Sequence, residues 1–167
     1  MNKEQLIPIF QKIYGKEEET LDKQLKRYED LKGLFHGKFQ QEEIQYFSTP
    51  GRTEIGGNHT DHNFGRVLAG SVDLDSVAVV SENETGIVTM YSVGYEGGFI
   101  VDLSNLAVQN EERETTNSLI RGIAARFNEL GYKIGGFDAY ITSSVLGGSG
   151  LSSSASIEVL IGSIFNA

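Results

Sequence analysis

The sequence predicts a fold of the α/β (α+β) class. Amphipathic helical stripes lie at the start and in the second half of the chain, β-rich runs separated by turns fill residues 66 to 103, and strand-like alternation returns at residues 137 to 145.

Residues 3 to 14 place Leu6, Ile7, Phe10, Ile13 and Tyr14 on one helical face, and Gly15 ends that helix. From about Glu19, the spacing of Leu21, Leu25, Tyr28 and Leu31 predicts a second, surface-facing helix that stops at Gly33. Ile44, Tyr46 and Phe47 predict a strand cut by Thr49-Pro50-Gly51. The runs Val67–Ala69, Val77–Val80, Ile87–Tyr91 and Phe99–Val101 follow, with turns at Asn83–Gly86 and Gly94–Gly98, and read as an antiparallel meander. Leu119, Ile120, Ile123, Ala124, Phe127 and Leu130 define a helix with Thr116 or Asn117 as its N-cap and Gly131 as its C-cap. Phe137 to Val145 alternates as a strand, a glycine-serine loop spans Gly147 to Ser154, and an apolar helix begins at Ala155. Val159, Leu160, Ile161 and Ile164 make that helix apolar enough to need burial on more than one side. Polypeptide beyond Ala167 is expected to supply the cover.

With 167 residues, 39% of them hydrophobic, one compact domain can bury its own core, and a second complete domain is not expected. The balance of 23 acidic and 14 basic residues gives a formal charge of -9, which repels nucleic-acid backbones and makes them unsuitable partners. An anionic nucleotide remains compatible, because a helix N-terminus creates local positive potential whatever the net charge. The absence of cysteine excludes disulfides, thiolate metal sites and cysteine nucleophiles. No apolar run is long enough for a membrane span, and the charged first thirty residues do not resemble a signal peptide, so the expected location is cytoplasmic.

Two constellations could carry chemistry. Gly147-Gly148-Ser149-Gly150-Leu151-Ser152-Ser153-Ser154-Ala155 lies between a predicted strand and a predicted helix. Its glycines would let backbone curl around a ligand, its hydroxyls would add donors, and the helix would aim N–H groups at an anion. It is neither a Walker A loop, since no lysine follows the glycines, nor a dinucleotide fingerprint. By composition alone it reads equally as a phosphate cradle or as a connecting loop. The second constellation runs from Pro50 to Asn63 and contains one arginine, two histidines, two acids and two asparagines. Such an array of donors and acceptors suits a polyhydroxylated ligand, although spacing alone favours a solvated loop. Metal binding by His59, Asp61 and His62 is disfavoured, because neighbouring side chains on an extended segment point to opposite sides.

Pro50 to Gly65 resembles the galactokinase signature, P-G-R-V-N-L-I-G-E-H-T-D-Y-N-x-G, retaining Pro50, Gly51, Arg52, Gly57, His59, Thr60, Asp61, Asn63 and Gly65. Val145 to Ser156 likewise resembles the ATP-binding motif V-P-x-G-x-G-L-S-S-S-A-S of GHMP kinases. Two motifs in the expected order, about ninety residues apart, identify the chain as similar to the N-terminal portion of a galactokinase-type GHMP kinase from about residue 40 onward. The resemblance implies a mixed, mostly antiparallel sheet flanked by helices, and transfer of the ATP γ-phosphoryl group to the anomeric hydroxyl of galactose or a related sugar.

By that similarity, Gly148, Ser149, Gly150, Leu151, Ser152, Ser153 and Ser154 would wrap the ATP phosphates, with Ser154 the contact to Mg2+. Arg52 would act catalytically beside the reacting hydroxyl, and Arg52, Asn58, His59 and Asp61 occupy sugar-binding positions. Three departures bear on the substrate: Glu54 replaces the family's asparagine, Asn58 its glutamate and His62 its tyrosine; in the phosphate loop Leu146 replaces its proline, which relaxes the backbone entry. Residues 1–167 thus read as a truncated N-terminal domain, with residues 1–40 a helical extension of it and the C-terminal domain beyond the sequence. The catalytic base and the second magnesium ligand would lie in that missing half, so the chain alone is expected to be inactive. A non-catalytic sugar- or nucleotide-binding relative and an inert fragment are the competing readings. Arg52, Ser153 and Ser154 favour catalytic ancestry.

Overall fold

The computed structural model describes residues 3–57, 64–145 and 150–167. Helices α1 (Lys3–Tyr14) and α2 (Glu18–Phe39) precede strands β1 (Gln45–Gly56), β2 (Leu68–Asn83), β3 (Ile87–Ser92) and β4 (Phe99–Asp102). A 3-10 turn at Asn110–Glu112 leads into α3 (Thr116–Glu129), β5 (Gly136–Ser143) and α4 (Ser153–Phe165). The strands form one sheet in the order β1-β2-β5-β3-β4. Three pairings are antiparallel and one, β3 with β5, is parallel, so the sheet is mixed and mostly antiparallel as expected.

Side-chain alternation splits the core into two layers. Ala78, Val80, Ala139 and Ile141 lie in one cluster with Ile120 of α3 and Leu160, Ile161 and Ile164 of α4. Val77 and Val79 join the other with Leu6 and Phe10 of α1 and Leu25, Tyr28, Leu31 and Phe35 of α2. The sheet is therefore covered by helices on both faces. That is why Val77-Ala78-Val79-Val80 is uninterruptedly apolar.

Several boundaries differ from expectation. Helix α2 continues through Gly33 to Phe39, because Phe35 extends the buried stripe one turn past Leu31. Burying that ring outweighs the roughly 1 kcal/mol that a mid-helix glycine costs. The helix ends instead at Gln40, in a left-handed conformation (φ 58°). Strand β1 runs through Thr49-Pro50-Gly51 to Gly56, where proline is tolerated because β1 is an edge strand and the pairing is irregular there. Pro50 pairs with Asp75 and Arg52 with Ser71, so β2 bulges between them. The expected runs Val67–Ala69 and Val77–Val80 are parts of this one bulged strand, except for Val67, which precedes it.

The antiparallel meander is also corrected: β5 inserts between β2 and β3, and only β3 and β4 pair as consecutive strands in that region. The α3 N-cap is Thr115, whose side chain accepts from the Ser118 N–H, and its C-cap is Leu130, with Gly131 following at φ +83°. Strand β5 ends at Ser143, and α4 starts at Ser153, two residues earlier than expected. Leu160, Ile161 and Ile164 are buried among the described residues, while Val159 is 57% exposed.

Candidate functional site

The two motif segments meet at one end of the sheet. Arg52 is exposed on β1, and its backbone N–H donates to the Leu151 carbonyl at 3.2 Å. Gly51 permits this approach: a Cβ there would lie 3.1 Å from a Val145 methyl and 3.2 Å from the Leu151 oxygen. Three residues earlier on β1, Thr49 Oγ1 donates to the Ser156 carbonyl at 2.9 Å, and Ser156 Oγ lies 3.2 Å from the Thr49 carbonyl. The entrance of α4 is thereby bonded to the strand that carries Arg52.

The serine loop enters α4 through Gly150 (φ +77°) and Ser152 (φ 58°), two successive-but-one residues in the left-handed region. Ser152 is the N-cap, yet its side chain makes no capping bond. The Ser156 N–H donates to the Ser152 carbonyl at 3.0 Å, and Ser153, Ser154 and Ala155 lie in the first turn, where N–H groups lack intrahelical partners. Ser153 is half-buried and Ser154 exposed. The first turn of α4 contains no acid, whereas α2 carries Glu18 and Glu19 there. An anion would meet N–H groups, hydroxyls and the positive end of the helix dipole without carboxylate competition from that turn.

Beneath the entrance lies a chain of hydroxyls that the sequence reading missed. Ser156 Oγ is 2.9 Å from Ser76 Oγ on β2, which is 2.8 Å from Ser143 Oγ on β5. Ser143 Oγ in turn accepts from the Val145 N–H at 3.1 Å, where the chain leaves β5 for the loop. Thr49, Ser76 and Ser156 are all buried. The only available sequence signal was Ser156 itself, the last position of the serine motif.

A second missed feature is Asp75, a buried acid on β2. Its carboxylate accepts from Arg27 of α2, Tyr14 of α1 and Ser48 of β1, each at 2.5 Å, and its backbone carbonyl accepts from the Ser144 N–H at 2.9 Å. Tyr14 Oη is also 3.0 Å from Tyr28 Oη. Burial above all pushes both phenols above their ordinary pKa; the neighbouring Tyr28 and the bond to Asp75 add to the effect at Tyr14. This node ties both N-terminal helices to the end of the sheet from which the serine loop departs.

Of the expected site residues, Arg52, Gly150, Leu151, Ser152, Ser153 and Ser154 are brought to this one region, while Asn58, His59, Asp61, Gly148 and Ser149 lie outside the described residues. Among the described residues no group of three or more acids or histidines is placed to hold a metal ion. Two cavities, of about 290 Å³ beside Arg27 and about 460 Å³ beside Arg121, include neither Arg52 nor Gly150 to Ser154.

The galactokinase galactose-binding signature matches residues 33–82. The galactokinase of Bacillus subtilis is 35% identical over 136 residues, which are 80% of this chain and 35% of that protein. The chain is similar to galactokinases over most of its own length. The galactokinase of Fusobacterium nucleatum is likewise 35% identical, over 71% of this chain and 31% of its own length. The crystal structure of Lactococcus lactis galactokinase complexed with galactose superposes with a TM-score of 0.69 at 26% identity, covering 98% of this chain and 36% of that one. Methanococcus jannaschii mevalonate kinase shares the fold, with a TM-score of 0.57 at 20% identity over 72% of this chain and 39% of its own. The chain spans about a third of the length of the curated galactokinases it matches.

Proposed function

We propose that this chain is the N-terminal, ligand-gripping portion of an ATP-dependent sugar kinase that phosphorylates the anomeric hydroxyl of galactose or a close relative. The observation that carries the proposal is the bonding of the signature strand to the serine loop, through Arg52 to Leu151 and Thr49 to Ser156. Phosphoryl transfer depends mainly on positioning and charge stabilisation, and this junction holds a cation-bearing strand against an uncapped helix N-terminus.

In this reading Gly148 to Ser154 bind the ATP phosphates, and the N-terminus of α4 opposes their charge. The donor set of that loop, hydroxyls and N–H groups with no first-turn acid, fits a phosphate chain. For Mg2+ the chain offers the exposed Ser154 hydroxyl, so further ligands would come from the nucleotide and from the family's C-terminal half. The metal would neutralise charge on the transferring phosphoryl group. Arg52 stands beside the reacting hydroxyl, and Asn58, His59 and Asp61 take sugar hydroxyls. Asn58 offers an amide where the family has a carboxylate, which weakens acceptance from a sugar hydroxyl and shifts selectivity among related sugars.

The test is calorimetric titration of the folded chain with Mg-ATP and, separately, with galactose, beside a Ser153→Ala/Ser154→Ala variant. Mg-ATP binding that falls at least tenfold in the variant is expected, together with negligible galactose 1-phosphate formation by the chain alone. Folded chain that binds neither ligand would overturn the proposal.

A further inference from the structure

We propose that Thr49 and Ser156 are positioning residues, a hydroxyl clamp that fixes the phosphate-gripping end of α4 at a set distance from Arg52. The inference rests on the phosphate-loop reading above and extends it to side chains outside that loop. The two residues bond reciprocally: Thr49 Oγ1 to the Ser156 carbonyl at 2.9 Å, and Ser156 Oγ at 3.2 Å from the Thr49 carbonyl. Three residues along β1 the Arg52 N–H bonds Leu151, five residues before Ser156, so the strand and the α4 entrance are joined by two rungs. Gly51, between the rungs, lets the two backbones close.

The placement of Ser156 argues against simple core filling. It is 3% exposed and shares the inward stripe of α4 with Leu160 and Ile164, one and two turns on. Alanine or valine at Thr49, Ser76 and Ser156 would pack such an interior without the desolvation that a buried hydroxyl incurs. The sequence instead places hydroxyls where β1, β2, β5 and α4 converge, with Ser76 and Ser143 continuing the chain to Val145 at the start of the loop. Side chains that bond backbone carbonyls fix distance and rotation, whereas apolar contacts would let α4 slide along the sheet. A shift of about 1 Å between catalytic groups can cost on the order of a hundredfold in rate. The clamp sets that separation before any ligand arrives.

The experiment compares Thr49→Val, which keeps shape but removes the hydroxyl, Ser156→Ala, and Thr49→Ser, which restores an Oγ, in the full 167-residue chain. Mg-ATP affinity is read by calorimetry and folding by urea denaturation followed by circular dichroism. Thr49→Val and Ser156→Ala are expected to keep a cooperative transition and to lose about tenfold in Mg-ATP affinity. Their double variant should lose little more than either single one, and Thr49→Ser should bind within about twofold of the parent. Parent-like binding by folded Thr49→Val and Ser156→Ala, while Ser153→Ala/Ser154→Ala loses binding, overturns the clamp and leaves the phosphate-loop reading standing. Loss of folding in both single variants assigns the hydroxyls to the core and likewise overturns it. A parent chain that binds no Mg-ATP removes both.

Discussion

Asp75→Asn is the substitution that most directly tests how the N-terminal helices hold the site. The carboxylate side chain is 4% exposed and its Arg27 partner 17%, so water can replace little of what the pair provides. Asparagine keeps the volume but removes the charge and turns one acceptor into a donor facing Arg27, Tyr14 or Ser48. Breaking one half of a buried ion pair typically costs about 3–5 kcal/mol, and Arg27 retains the carbonyls of Asp75 and Thr142, which argues for the lower end. A loss of about 3 kcal/mol is expected, a large share of the roughly 5–15 kcal/mol available to a domain of this kind. Since the chain has no tryptophan, urea unfolding is best followed by far-ultraviolet circular dichroism, with an unchanged m-value showing that the native state is still compact. Adding Arg27→Met should recover part of the loss, because the uncompensated cation disappears. A loss below about 1 kcal/mol, or strict additivity of the two substitutions, would refute the view that this pair is a water-poor structural node.

Gly51→Ala places a methyl 3.1 Å from Val145 and 3.2 Å from the Leu151 oxygen; overpacking of this kind costs about 1–3 kcal/mol, and a change under about 0.5 kcal/mol in urea unfolding would show that the approach is not tight. Burial raises the Tyr14 and Tyr28 pKa values, so above pH about 10 the unfolded chain gives up phenolic protons that the folded chain retains. Stability should therefore be intact below pH about 10 and decline above it, and Tyr14→Phe should decline less steeply between pH 9 and 11 by urea denaturation; equal slopes would refute the assignment.

The parts of the fold legible in the sequence are those encoded by local periodicity. The α1 stripe of Leu6 and Phe10 and the start of α3 near Thr116 needed nothing beyond residues three or four apart. The insertion of β5 between β2 and β3 was not legible, because a run such as Ile87–Tyr91 reports that it is a buried strand and not which strand lies beside it. The continuous apolar run Val77–Val80 did carry a clue, since a strand covered on both faces is central and has two neighbours. Pro50 misled for a physical reason: a missing N–H ends a central strand but is harmless at an edge beside a bulge.

The candidate site divides along the same line. Gly150 to Ser154 and Arg52 stood out because glycine and serine clusters and a charged, glycine-punctuated segment are local compositions with local consequences. That the two segments bond each other could not be read, since about a hundred residues separate Thr49 from Ser156 and no periodicity links them. Ser76, Ser143 and Asp75 were invisible for a different reason. In a strand a polar residue reads as outward-facing, and only the convergence of four elements turns the inward position into one where a hydroxyl or carboxylate has partners. Buried polar groups are costly singly and stabilising only as completed sets, so they accumulate where geometry must be fixed as well as filled. Here one such set lies on each face of the sheet at its β1 end: the Asp75 node holds α1 and α2, and the hydroxyl chain holds α4. Both grip β1 within the span Ser48 to Arg52. The strand that presents the arginine is thus held from two sides by directional bonds, which apolar layers alone would not provide.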